Sequence, residues 1–112
     1  MDIQAVLKIL KKYMETHRVE MGILAMGVFG SVARNEAGQD SDVDVVVSLS
    51  TPNLFTLSRI RQDLEEELHH HVDLVSYRDR MNPFLKERIE QAYSEGDIVG
   101  VFEPHLGVGR QP

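Results

Sequence analysis

The run Val43-Asp44-Val45-Val46-Val47 constrains this chain more than any other stretch of it. β-Branched side chains crowd the preceding turn of a helix but fit a pleated surface, so the run reads as a central strand. Ile23 to Phe29 form a second apolar segment, ended by Gly30-Ser31. Its length and glycine boundaries suit a buried strand better than a helix. Val72 to Tyr77 make a third.

Helical periodicity fills the intervals. Ile3, Val6, Leu7, Leu10, Tyr13 and Met14 recur at three- and four-residue steps within residues 2–16, with Lys8, Lys11 and Lys12 on the wet side. Such spacing predicts an amphipathic helix whose late lysines suit its dipole. A short helix over residues 32–36 is predicted with Ser31 near its N-cap, followed by a loop over residues 37–40. Thr51-Pro52-Asn53 opens the next helix, with proline tolerated in its first turn. That helix carries Leu57, Ile60, Leu64 and Leu68 on one stripe. Asn82-Pro83 opens the last, through Phe84, Leu85, Ile89 and Tyr93, and Gly96 closes it. The order α-β-α-β-α-β-α gives a small α/β sheet packed by helices.

At 112 residues the expectation is one domain, with a core over about residues 1–96 and a Gly- and Pro-bearing tail over residues 97–112. In that tail Phe102, Pro104 and Leu106 read as a frayed end or as a docking segment. The absence of cysteine excludes a disulfide framework, a Cys-based zinc site and a thiol nucleophile. The longest apolar run, residues 21–29, falls far short of the ~20 residues of a membrane span. No signal-like leader is apparent, so a cytoplasmic protein without a membrane role is expected. Twelve Lys+Arg against eighteen Asp+Glu give a net charge of −6. Proteins that neutralise a nucleic-acid backbone carry the opposite sign, so direct nucleic-acid binding is disfavoured. A small phosphate-bearing ligand held through a metal is compatible with that charge, because the ion supplies the positive charge.

The chemistry concentrates in Gly30-Ser31, ten intervening residues (32–41), and then Asp42-Val43-Asp44. Side chains two apart on a strand share a face, so Asp42 and Asp44 present paired carboxylates. Anions held that close repel unless a cation joins them, and hard oxygen donors suit Mg²⁺. Asp73 stands alone in the apolar strand Val72-Asp73-Leu74-Val75. It lies either at an exposed sheet edge or beside the first pair, where three carboxylates would make a two-metal cage. Gly30 allows close backbone approach at a strand-to-helix corner, and Ser31 adds a hydroxyl for a phosphate, although Gly-Ser alone is a common turn. Arg34, one turn on, either reaches back to the same phosphates or serves as a surface ion-pair partner. Together these groups suit nucleotidyl transfer, with Asp73 the candidate to take or steer the acceptor's proton.

The string Gly30-Ser31-Val32-Ala33-Arg34, then Ser41-Asp42-Val43-Asp44-Val45-Val46-Val47, resembles the minimal nucleotidyltransferases of the DNA polymerase beta superfamily. Their pattern is Gly-Ser or Gly-Gly, a spacer, an acidic pair one residue apart, and a later acid between apolar residues, met here at Val72-Asp73-Leu74. The similarity spans about residues 23–96. Asn35 stands where many relatives carry Gly. The resemblance implies a mixed sheet of three to four strands packed by helices. It also implies metal-binding and catalytic roles for Asp42, Asp44 and Asp73, and nucleotide binding by Gly30, Ser31 and Arg34. Members of this size commonly act as antitoxins beside a HEPN-domain ribonuclease. The resemblance further implies transfer of AMP from ATP, with two Mg²⁺ ions, onto a tyrosine of that toxin, and a hetero-oligomer with it. The alternative is a non-catalytic antitoxin that neutralises the toxin by stoichiometric binding.

His69-His70-His71 suggests a metal site, but consecutive side chains at a helix-to-strand junction diverge, which favours a solvated junction. Met14, Met21 and Met26 fall at apolar positions and read as core filler.

Overall fold

The computed structural model describes residues 2–36, 38, 42–78 and 80–101. Among these residues four helices and four strands alternate as α1 (Ile3–Met21), β1 (Ile23–Phe29), α2 (Gly30–Ala33), β2 (Val43–Leu49), α3 (Leu54–Leu68), β3 (Val72–Ser76), α4 (Pro83–Ser94) and β4 (Val99–Val101). The strands form one sheet in the order β3-β2-β1-β4. The β2–β3 pair is parallel, joined through α3, whereas β1 runs antiparallel to both β2 and β4. The sheet is therefore mixed and open.

Local chemistry explains the boundaries. Asp2 caps α1 by accepting from the Gln4 amide, and Gly22, at φ 67°, ends the helix by donating to the Arg18 and Val19 carbonyls. The apolar stripe stops near Thr16, yet the helix runs five residues further to that glycine, with Val19 almost wholly exposed. Asn53 and Asn82 cap α3 and α4, each accepting two backbone N–H bonds at the helix start. Pro52 stands just outside α3 rather than in its opening turn, while Pro83 occupies the first turn of α4, where no intrahelical donor is lost.

Alternation along the strands divides the core between two faces. Met26, Val28, Val43, Val45, Val47 and Val72 pack against Val6, Leu10 and Tyr13 of α1 and Ile60 and Leu64 of α3. Ala25, Phe29 and Val46 form a smaller cluster on the opposite face with Tyr77 and Ile89 of α4. Met14 and Met21 pack on the first cluster as expected of core filler. The α1–α3 layer is tied by the Tyr13 hydroxyl, which donates to Asp63 at 2.7 Å. Burial and that carboxylate both push the phenol pKa well above its ordinary range.

Two of the expected element boundaries change here. Ser31 lies inside α2, whose N-cap is Phe29, and the helix stops at Ala33 instead of continuing to residue 36. The last helix spans Phe84, Leu85, Ile89 and Tyr93 as expected, with Ile89 buried and Leu85 packed beside it while Phe84 and Tyr93 are exposed. The segment after Gly96 opens with a strand, β4, because β1 has an unsatisfied edge that Val99–Val101 pairs with. Phe102, Pro104 and Leu106 and most of the expected 37–40 loop lie outside the described residues. Among the described residues no helix is long and apolar enough to cross a membrane.

Candidate active site

Two of the acidic residues, Asp44 and Asp73, emerge on the face of the sheet that carries α4. Asp44 is the second residue of β2 and stands in register with Phe29 of β1 on one side and Asp73 of β3 on the other. In-register residues on neighbouring strands project to the same face, so Asp44 and Asp73 emerge side by side. Asp42 precedes β2 by one residue and is exposed. Its carboxylate lies 3.4 Å from Nδ1 of His71, whose Nε2 is 3.8 Å from Glu65. Glu65 in turn accepts from the Val72 amide at 2.9 Å. His71 thus links the start of β2 to the end of α3. His70 turns to the Leu68 carbonyl at 2.9 Å, and His69 occupies a left-handed cap at φ 57°, so the three histidines diverge.

Electrostatics single out Asp44. Partial burial raises its pKa above the ordinary carboxylate range, and the neighbouring charge of Asp73, with a smaller effect from Asp42, raises it further. Arg88 of α4 opposes that rise, and Arg34 does so more weakly. These carboxylates sense one another across two strands and a strand entry. They are aligned rather than gathered: among the described residues no three His, Asp or Glu side chains close around a point that an ion could fill. The expected three-carboxylate cage is therefore not preformed.

The glycine corner is built onto the same carboxylate. Gly30 has φ 73°, and a Cβ placed there would collide with the carboxylate oxygen of Asp44. Only glycine lets the β1–α2 turn pass this close. Ser31 follows in the first turn of α2, where Phe29, the N-cap residue, offers no side-chain acceptor. Arg34 ends α2 and is exposed, with its Nε donating to Glu36 at 3.1 Å. Asn35 then takes φ 59°, a conformation that glycine or asparagine adopts most readily. Asparagine meets that requirement here.

Arg88 is a site residue that the sequence pattern does not single out. It precedes the buried Ile89 and lines, with Phe29, Gly30 and Arg34, a cleft of about 150 Å³ between the corner and α4. Its one legible signal is adjacency to Ile89, which places it at the flank of the helix face that meets the sheet.

The sequence pattern of the nucleotidyltransferase domain family matches residues 7–99. The chain is 39% identical over 75 residues to the protein adenylyltransferase MntA of Thermococcus cleftensis, covering 66% of this chain and 73% of that protein. It is 31% identical over 90 residues to a Methanocaldococcus jannaschii protein that bears the name protein adenylyltransferase, covering 80% of this chain and 92% of the other. A solved minimal nucleotidyltransferase superposes with a TM-score of 0.66 at 30% identity, covering 88% of this chain and 95% of its own. The fold alone is shared with two more distant structures, each at 18% identity and a TM-score of 0.61. A toxin–antitoxin solved with AMP-PNP covers 91% of this chain and 73% of its own. A tri-AMPylated Shewanella oneidensis HEPN toxin in complex with an MNT antitoxin covers 89% and 71%. The chain belongs to the nucleotidyltransferase domain family and, within it, to the minimal nucleotidyltransferases that include MntA.

Proposed function

We propose that this chain transfers AMP from ATP, with Mg²⁺, onto a tyrosine hydroxyl of a partner HEPN toxin and acts as its antitoxin. The observation that carries this reading is the side-by-side emergence of Asp44 and Asp73 under the Gly30 corner. Family membership supports the reaction class. The names of the relative MntA and of the HEPN complexes support the nucleotide and the kind of acceptor.

The donor set fits magnesium. Mg²⁺ takes one or two carboxylates, keeps several waters and completes its shell with substrate phosphates, so a closed protein cage is not required. The raised pKa of Asp44 among like charges is the electrostatic counterpart: a cation there relieves the repulsion. Asp42 and Asp44 would hold the ion, with Asp73 beside them. Once bound, the metal supplies charge neutralisation of the triphosphate and lowers the pKa of a coordinated hydroxyl.

The protein's own groups do the rest. Gly30 brings main chain close to the carboxylates, Ser31 offers a hydroxyl to a phosphate oxygen, and Arg34 adds a guanidinium. The acceptor oxygen attacks the α-phosphorus in line. A P–O bond forms, the bond to the bridging oxygen breaks, and pyrophosphate leaves with that electron pair. Asp73, exposed beside Asp44, takes the acceptor's proton.

The test is mass spectrometry of a cognate HEPN toxin after incubation with this chain, ATP and Mg²⁺. Wild type should add the mass of AMP to a tyrosine, and the Asp42→Asn/Asp44→Asn double variant should not. If both forms neutralise an unmodified toxin equally well, stoichiometric binding is the mechanism instead.

A further inference from the structure

We infer that Arg88 of α4 is a second cationic contact for the polyphosphate of the bound nucleotide, sharing with Arg34 the cleft beside Gly30. The inference rests on the nucleotidyltransferase reading above and adds to it a residue outside the Gly-Ser-to-Asp motif.

The need for such a group follows from charge. The site presents Asp42, Asp44 and Asp73, and the whole chain carries a net −6, yet its substrate would be a polyanion. Cations must meet those phosphates beyond what a metal supplies. Arg34, the only arginine within the motif, already donates to Glu36. The cleft at the corner is lined by Phe29, Gly30, Arg34 and Arg88, and also by Glu95 and Asp97. Among the described residues of that lining its two guanidiniums are the only cationic groups, so a phosphate is drawn to them and away from the two acids.

Placement comes from α4. Ile89 is buried in the cluster with Phe29 and Val46, which fixes the register of the helix on the sheet. Arg88, one residue earlier, is carried to the flank of that contact with its head group exposed. It lines the same cleft as Gly30 and Arg34, so its guanidinium stands at the corner that the motif builds. A guanidinium presents a planar fork of donors that matches phosphate oxygens, which an ammonium does not.

The test is equilibrium binding of AMP-PNP and of adenosine to the full chain, comparing wild type with Arg88→Ala and Arg88→Lys. Removing a charge-assisted phosphate contact should weaken AMP-PNP binding by about tenfold or more. Adenosine binding should stay unchanged, and lysine should recover part of the loss. Arg88→Ala binding AMP-PNP as tightly as wild type would overturn the inference while leaving the reaction intact. Equal weakening for AMP-PNP and adenosine would also overturn it, since the residue would then support structure and not phosphate. A wild type that binds neither ligand would remove the nucleotidyltransferase reading itself.

Discussion

Gly30 and Asp44 are sterically interlocked, and the consequences of that contact are the sharpest at the scale of single residues. Gly30→Ala imposes a left-handed backbone on an L-residue, at about 1–2 kcal/mol, and drives its methyl into the Asp44 carboxylate. Urea denaturation should show at least that loss, and transfer should fall with it because the carboxylate is displaced. Asp44 itself is held at a cost. Its folded pKa is raised, so the native state binds its proton more tightly than the unfolded chain does. Stability therefore falls as pH climbs from the ordinary carboxylate range through the raised value, and the penalty is complete once pH has passed that value. Asp44→Asn removes it. Above that value the variant should melt higher than wild type, by an increment that solvent screening keeps small, while losing transfer. Melting curves of the two proteins should converge in acid. Gly30, Ser31, Asp42, Asp44 and Asp73 are all legible as candidates because each breaks a local pattern: a corner after a strand, or an acid among valines. Arg88 breaks none. An arginine on a helix is ordinary in one dimension, and only the packing of its neighbour Ile89 gives it a place.

At the scale of elements, capping decides what can be read. The asparagines before α3 and α4 carry their signal in the sequence, and each accepts two main-chain donors in the fold. Asn53→Ala should cost about 1 kcal/mol in chemical denaturation, as loss of an N-cap does elsewhere. The strands β1, β2 and β3 and the stripes of α1 and α3 are legible for the same reason: their periodicity is local. The last five residues of α1 are not, because among them Met21 alone packs on the apolar cluster and no helical repeat leads to the glycine stop. Nor is β4, a segment of three residues whose strand character comes from the free edge of β1 and not from its own composition. Gly100 shows how tight that pairing is. Its φ is 127°, and an added Cβ would sit 2.9 Å from the Met26 carbonyl oxygen. Gly100→Ala should therefore strip β4 from the sheet, raising amide exchange at its β1 partners while β2 and β3 stay protected.

The molecule as a whole divides its labour between the two faces of one sheet. One face, under α1 and α3, holds the larger apolar cluster; the other carries the carboxylates and the overhang of α4. Perturbations should separate along that line. Tyr13→Phe deletes the bond to Asp63 that ties α1 to α3, so about 1 kcal/mol of stability should be lost with transfer unchanged. Equal losses of stability and transfer would show the faces to be coupled. The order of strands carries one more implication. β3 ends the row, so Asp73 looks out from the rim of the sheet with no fifth strand beyond it among the described residues. A visitor as bulky as a whole folded protein can push one side chain in from that flank, like a hand reaching over a low wall.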